Sequence, residues 1–316
     1  FLSSTIQFDY TPSNTEDIEY VKSVLLKICN CNIDHLNYYL STLGHAMTGD
    51  AEKEKALYYL VGLIGDNGKT LLMDVLADLM PNYVYKIDKH TFEKGFSKAH
   101  KYLSRVRGKR IVYVEELSKN KQNTELLKEY GDGKRIENEI MFGTAESIDI
   151  SSKLFCLSNN TPNIDTDGGI QNRYRQLCFN SNFNQYNTVD DFDNLKFIQD
   201  NTLAQKLKDE YKYAVINLIM EYGYKYTQHG MYKMPNEFRI VSDNTLQLNN
   251  EFQAWFNEHC EIGIDFLCSK QEIETSYKKI SIREMKDAVT KLGFTYNCNK
   301  KYNGTKGVFV GFQLVN

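Results

Sequence analysis

Apolar side chains recur at helical spacing over residues 18–43, as Ile18, Val21, Leu25 and Ile28 and then Ile33, Leu36 and Leu40. The run breaks at Cys29-Asn30-Cys31-Asn32, and Gly44 and Gly49 punctuate the residues beyond it. Residues 1–55 therefore read as a small helical N-terminal module. The period then changes. Leu57-Tyr58-Tyr59-Leu60-Val61 is a continuous apolar stretch of strand length, followed by a glycine-containing loop. Beyond the loop, Leu72, Val75, Leu76 and Leu79 share one face of a helix predicted over 69–80, which Pro81 ends. Two more short apolar runs, 110–114 and 153–157, terminate in Glu115-Glu116 and Ser158-Asn159. Buried strands that deliver polar residues at their C-terminal ends predict a parallel sheet with its ligand along that edge. Between the last two, residues 140–142 and 147–150 around Gly143-Thr144 predict a β-hairpin, and a long helix is expected over 201–226.

The last fifty residues have a different pattern. Ser281-Ile282-Arg283-Glu284 has the form of a capping box opening a helix that carries Met285, Ala288, Val289 and Leu292 and stops at Gly293. Strands over 294–296 and 308–312 then flank Asn303-Gly304, a hairpin signal. A helix followed by such a wing predicts a winged-helix-like module, a shape that serves DNA binding and protein docking alike. The fold class is α/β. The sequence divides into the helical module 1–55, a P-loop core with a parallel sheet over 56–200, and a helical linker with the winged-helix-like domain over 201–316.

At 316 residues with 41% hydrophobic content the chain is large enough for more than one buried core. Its apolar runs are too short to span a bilayer, and its start lacks a secretory pattern, so no membrane association is expected. It opens on Phe1, which reads as part of a longer protein. Seven cysteines, scattered and without paired spacing, point to an intracellular, reducing compartment. A formal net charge of −3 gives no support for bulk attraction to nucleic acid; any such surface must be local, such as a basic pore in a ring.

Candidate chemistry starts at Gly65-Asp66-Asn67-Gly68-Lys69-Thr70. A phosphate loop needs glycines so that backbone N–H groups can close around oxygens, a lysine for the β- and γ-phosphates, and a hydroxyl for Mg²⁺. The usual spacing puts a glycine at position 63; here Leu63 stands there and Gly62 one residue earlier. At the end of the 110–114 strand, Glu115 is placed to hold the water shell of a metal and Glu116 to polarise an attacking water; the plainer alternative is a surface acidic pair. Asn159 can hydrogen-bond both a γ-phosphate and that water. Arg173 and Arg175 follow the Asp165–Gly169 segment, where an arginine can be offered to a neighbouring subunit's nucleotide or be merely structural.

With these elements in this order, the chain resembles superfamily 3 helicases, specifically the poxvirus-type primase–helicase group of large DNA viruses, with relatives in virophages, phages and mobile elements. The motifs that carry the likeness are Asn67-Gly68-Lys69-Thr70, the Glu115-Glu116 strand, Ser158-Asn159-x-x-Pro162, and Asp167-Gly168-Gly169 through Arg173-x-Arg175 to Phe179. The resemblance implies an AAA+ fold that assembles into a ring, usually a hexamer, with ATP and Mg²⁺ between subunits and single-stranded DNA in the pore. By this match Lys69 and Thr70 bind phosphates and Mg²⁺, Glu115 supports the metal, Glu116 activates water, Asn159 is the sensor, and Arg173, or alternatively Arg175, is the finger supplied in trans. It also implies viral or mobile-element DNA replication, in the host cytoplasm if the source is viral, with replication partners docking on the C-terminal domain. Lys134, Arg135 and Lys153, on or near the expected hairpin, are the candidate DNA contacts, each with a solvated surface lysine or arginine as its plain alternative. In the family pattern an acidic residue stands at the place of Lys134 and an arginine at that of Glu139, so a reversed ion pair between these two is expected here or, if the family's arginine touches DNA, the loss of that contact. No primase chemistry is visible. Two other classes of function remain: an ATP-gated origin-binding initiator with little processive unwinding, favoured slightly by Leu63, and an ATPase that moves protein.

Overall fold

The structure, a computed structural model, describes residues 5–6, 8–62, 65–117, 120–138, 146–249, 251–277, 285–286, 289, 292 and 294–315. It forms two compact units, residues 1–245 and residues 246–316.

The first unit opens with α1 (Thr15–Ile28) and α2 (Ile33–Thr48). Asn14 caps α1 by accepting the Asp17 N–H at 2.7 Å, and Asn32 caps α2 by accepting those of Asp34 and His35 at 2.9 and 3.1 Å. Asn30 and Cys31 turn the chain between them with φ of 57° and 54°. The Asn30 side chain holds that turn against the sheet, donating to Cys178 O and accepting from the Asn180 N–H, both at 2.7 Å.

The central sheet uses β1 (Leu57–Val61), β2 (Val84–Lys86), β3 (Ile111–Val114) and, beyond an antiparallel hairpin of β4 (Arg135–Asn138) and β5 (Glu146–Asp149), β6 (Lys153–Ser158) and β7 (Tyr174–Cys178). All five pair in parallel, in the order β2-β3-β6-β1-β7. Every residue of β1, β3 and β6 is buried, as expected of strands covered on both faces. Chain order reverses around β1, and open parallel sheets hold ligands outside their C-terminal ends at such a point. Helix α3 (Lys69–Leu79) follows β1 and ends before Pro81; Tyr113 on β3 donates to Asp74 on α3 at 2.8 Å. Shorter helices α4 (Ala99–Leu103), α5 (Thr124–Gly131) and α6 (Gly168–Gln171) connect the later strands.

Past the sheet, β8 (Asn182–Asn184) and β9 (Lys196–Ile198) form a small ribbon, and α7 (Leu203–Asp209), α8 (Lys212–His229) and α9 (Asn236–Asn249) come next. The single helix expected over 201–226 is thus two, jointed where Tyr211 stacks on Tyr20 of α1 at 4.3 Å. Residues of α1, α2, α3, the sheet and α8 share one hydrophobic core. The N-terminal helices are therefore layered onto the sheet within the first compact unit, which runs to Thr245. α2 and α8 cross with Gly44 against Gly223: a methyl on Gly44 would lie 2.4 Å from Gly223 N.

The second unit contains α10 (Glu251–His259), β10 (Cys260–Ser269), α11 (Lys270–Ser276), β11 (Thr295–Tyr302) and β12 (Thr305–Leu314). Its antiparallel sheet runs β10-β12-β11, and Asn303-Gly304 turns β11 into β12 with φ of 48° and 77°, the paired positive values that an Asn-Gly turn supplies. A complete capping box starts α11, between Ser269 and Glu272. The capping box expected at 281–284 lies outside the described residues, as do Ala288 and Gly293, whereas Met285 and Val289 are buried in this unit's aromatic core. Among the described residues no helix is long and apolar enough to cross a membrane.

Candidate functional site

The loop after β1 is shaped by three backbone decisions. Gly62 ends the strand where an added methyl would lie 1.8 Å from Asn67 Nδ2 and 2.9 Å from Phe179 O, so glycine is required at 62. The glycine offset by one residue from the usual spacing therefore has a local cause: the buried Asn67 side chain occupies the volume above it. Leu63 itself lies outside the described residues. Asp66 and Gly68 then adopt left-handed φ of 56° and 77°, and the chain enters α3 at Lys69. The Phe183 N–H of β8 donates to Asp66 O at 2.8 Å and anchors the loop from outside.

Lys69 is 9% exposed, and its Nζ donates to Asn159 Oδ1 at 2.5 Å and to Asn67 Oδ1 at 3.2 Å. Burial pulls this ammonium below its ordinary pKa, against the opposing influence of the Asp66 and Glu116 carboxylates. Asn159 is carried to the lysine by the end of β6, where Ser158 Oγ accepts the Asn160 N–H at 3.0 Å and shapes the exit from the strand. On the neighbouring strand, β3 ends in the two acids. Glu115 forms an ion pair with Lys86 at the end of β2, and Glu116 sits at a left-handed φ of 53°, with the next N–H, of Leu117, bound to Leu157 O at 3.0 Å. Strained non-glycine backbone of this kind costs on the order of 1–3 kcal/mol and concentrates at functional sites.

Gly65, Asp66, Asn67, Gly68, Lys69, Thr70, Glu115, Glu116 and Asn159 line one cavity of about 340 Å³ at the C-terminal edge of the sheet. Its chemistry fits a polyphosphate with a divalent cation: the N-terminus of the 11-residue α3 and the Lys69 ammonium offer positive charge, and the Thr70 hydroxyl and Glu115 offer oxygen ligands. Mg²⁺ takes few protein ligands and keeps waters and phosphate oxygens, so a hydroxyl and one carboxylate suffice. Among the described residues there is no cluster of three or more His, Cys, Asp or Glu suited to a protein-only metal cage.

Other expected site residues lie elsewhere. Arg173 immediately precedes β7 and Arg175 is its second residue, and the strand pairs with the start of β1 through Leu57 and Tyr174. At about 3.3 Å per residue, Arg173 is roughly 15 Å from the loop that follows β1's other end. Arg173 is held by Asp132 at 2.6 Å and by Gly169 O at 2.5 Å, and Arg175 donates to Tyr174 O at 2.9 Å and Asn172 O at 2.8 Å. Lys134 and Arg135 are exposed on the β4–β5 hairpin, where Arg135 pairs with Asp149 at 2.8 Å. The hairpin's first strand is 135–138; residues 140–142, expected in that place, and Glu139, the expected partner of Lys134, lie outside the described residues. Lys153 is corrected from a DNA contact to a core residue. It is 1% exposed, and its ammonium donates to the carbonyls of Glu54 and Gly131, at 3.3 Å for the latter. Lys86 and the structural role of Gly62 were not legible in the sequence; β2 is only three residues long and carries no strand pattern of its own.

The fold has solved counterparts. Three structures of the C-terminal region of NrS-1 superpose on the chain with TM-scores of 0.53, 0.51 and 0.56 at 12–13% identity. They cover 92%, 92% and 96% of this chain, which spans 66%, 66% and 77% of theirs. At that identity the likeness is one of fold. No protein-family model and no curated protein sequence matches the chain.

Proposed function

We propose that this chain is the ATPase part of a replicative DNA helicase of the superfamily 3, AAA+ type, acting as a ring on single-stranded DNA. The observation that carries the reading is the single cavity that joins Lys69, Thr70, Glu115, Glu116 and Asn159 at the C-terminal edge of a parallel sheet. The fold shared with the C-terminal region of NrS-1 supports it.

The loop N–H groups and Lys69 grip the β- and γ-phosphates of ATP, which frees Lys69 from Asn159. Glu115, giving up Lys86, and the Thr70 hydroxyl would hold Mg²⁺ through its water shell, and the metal would supply neutralisation of phosphate charge. Glu116 accepts the proton of a water that attacks the γ-phosphorus, and the products are ADP and inorganic phosphate. Asn159, released by the lysine, contacts the γ-phosphate and relays its loss to β6. Arg173 and Arg175 are on the far edge of the sheet from their own chain's loop, so either one acts on a nucleotide held by a neighbouring copy. Lys134 and Arg135 on the hairpin track phosphates of the strand, a contact indifferent to base sequence and sensitive to salt. Replication partners would dock on the second unit.

ATP turnover measured with and without single-stranded DNA tests this. Strong stimulation of the wild type, abolished in Lys69→Ala and in Glu116→Gln, is expected. Turnover that ignores DNA favours the initiator reading, and absence of DNA binding even at low salt favours a motor acting on protein.

A further inference from the structure

The 25 residues from Lys86 to Arg110, which join β2 to β3, carry nine Lys and Arg against two Asp and Glu, in a chain whose net charge is −3. The two carboxylates are engaged elsewhere: Asp88 accepts the His90 N–H at 3.0 Å, and Glu93 meets His90 Nδ1 at 2.8 Å and Asn120 Nδ2 at 3.2 Å. Lys86 pairs with Glu115, and Lys109 donates to the carbonyls of Pro81 and Asn82 at 2.9 and 3.1 Å. Lys89, Lys94, Lys98 and Lys101 are exposed and have no ion pair among the described residues. α4 and the 3-10 helix Ser104–Val106 bury Ala99, Leu103 and Val106 at helical spacing, which leaves Lys98, Lys101 and Arg105 on the outer side. Arg107 Nη2 reaches Ser147 O on β5 at 3.4 Å, so this basic surface borders the β4–β5 hairpin.

We propose that this surface grips the phosphate backbone of duplex DNA beside the hairpin. Its role rests on the proposed motor, in which the hairpin tracks one strand, but its chemistry stands apart from that reading. Unpaired like charges crowded on one short segment repel one another until a counter-charge covers them, and duplex DNA carries one negative charge per about 1.7 Å of its axis. A single strand is commonly held by cations together with aromatic rings on which bases stack. The rings of this segment are not laid out for that. Phe96 packs against Tyr102 with centroids 6.2 Å apart and against His90 at 5.9 Å, and the Arg105 guanidinium lies over the Tyr102 ring at 5.9 Å. His90, Phe96 and Tyr102 are half-buried and Phe92 is fully buried. Cations without a stacking platform suit a duplex, whose bases are already stacked on each other and whose phosphates face outward.

The test is fluorescence anisotropy of the intact chain, without nucleotide, on a blunt duplex and on a single strand of the same length, between roughly 50 and 200 mM salt. The quadruple variant Lys89→Gln, Lys94→Gln, Lys98→Gln and Lys101→Gln should lower the slope of log affinity against log salt for the duplex by about 0.9 for each lysine that touches a phosphate, about 3–4 in all, and weaken the duplex complex at the lower salt about tenfold or more. Single-strand binding, and the ATP turnover it stimulates, should not change. A control set that removes the same charge from ion-paired lysines elsewhere, Lys22→Gln, Lys206→Gln, Lys208→Gln and Lys225→Gln, should bind the duplex as the wild type does. No duplex binding by the wild type at the lower salt, duplex binding intact in the quadruple variant, or equal weakening by the control set overturns the inference. Equal weakening of the single-strand complex also overturns it, by making the surface part of a single-strand track. Wild-type turnover that ignores single-stranded DNA overturns the motor reading and the role beside the hairpin, and the duplex contact then stands or falls on the titration.

Discussion

Glu116 and His35 show how far single residues can be read. The acid pair Glu115-Glu116 is visible in the sequence, because a buried strand ending in carboxylates after a phosphate loop has a chemical reason; that the two acids part company is not. Both line the cavity, but Glu115 is paired with Lys86, while Glu116 sits on a left-handed backbone. If Glu116 is the base, Glu116→Gln should lower ATP turnover by about 100-fold or more while ATP binding survives, since general-base catalysis contributes on the order of 10²–10⁴-fold. Equal loss of binding and turnover would assign it a structural part. His35 carries no sequence signal at all. It is fully buried between Phe179 and Phe238, and burial pushes its pKa down to about 3 against the opposing influence of the Cys29 backbone. The unfolded chain binds its proton near pH 6.5, so the stability His35 permits is complete above that pH and is lost as pH falls toward 3. At pH 5 the loss should be about 2 kcal/mol. Denaturant titrations of His35→Leu should show a correspondingly flatter stability profile between pH 6.5 and 4; an unchanged slope would mean the ring is not the group that protonates.

Elements were legible where period and punctuation agreed. The break between α1 and α2, the strand–loop–helix of β1 and α3, and the Asn303-Gly304 turn all arise from residues whose backbone preferences leave few choices. Elements defined by their neighbours were not. β2 is three residues, β7 mixes buried and half-buried positions without alternation and starts between two arginines, and β10 is a half-exposed edge strand with a register shift between Ile262 and Leu267. Strand β4 was not legible for the same reason: β4 and β5 carry one inward pair, Ile136 opposite Ile148, too little for a periodic signal. Packing of α2 on α8 depends on Gly44 and Gly223, which read as punctuation in one dimension and as a close crossing in three. Gly44→Ala should therefore destabilise the first unit by roughly 1–3 kcal/mol, the range of overpacking, despite alanine's higher helix propensity. Thermal denaturation checks it; a stabilised variant would show that the helices can separate freely.

At the scale of the molecule, the proposed function implies assembly. Phosphate-binding groups are at one edge and Arg173 and Arg175 at the opposite edge, so under that proposal an arginine finger would reach a nucleotide only from a second copy of the chain. Arg173 is locked to Asp132 within its own chain, whereas among the described residues Arg175 binds two backbone carbonyls, so Arg175 is released at lower cost. Arg175→Ala should then impair turnover more than ATP binding, and mixing it with Lys69→Ala chains should restore part of the activity, because mixed interfaces recover an intact loop facing an intact arginine. No recovery in mixtures would place both functions within one chain. The most direct measurement is the native mass of the chain with a non-hydrolysable ATP analogue and a single-stranded oligonucleotide. A closed oligomer carrying nucleotide at its subunit interfaces and one captured strand is the predicted species, absent in Lys69→Ala; a lone subunit that takes up neither nucleotide nor DNA would contradict the account.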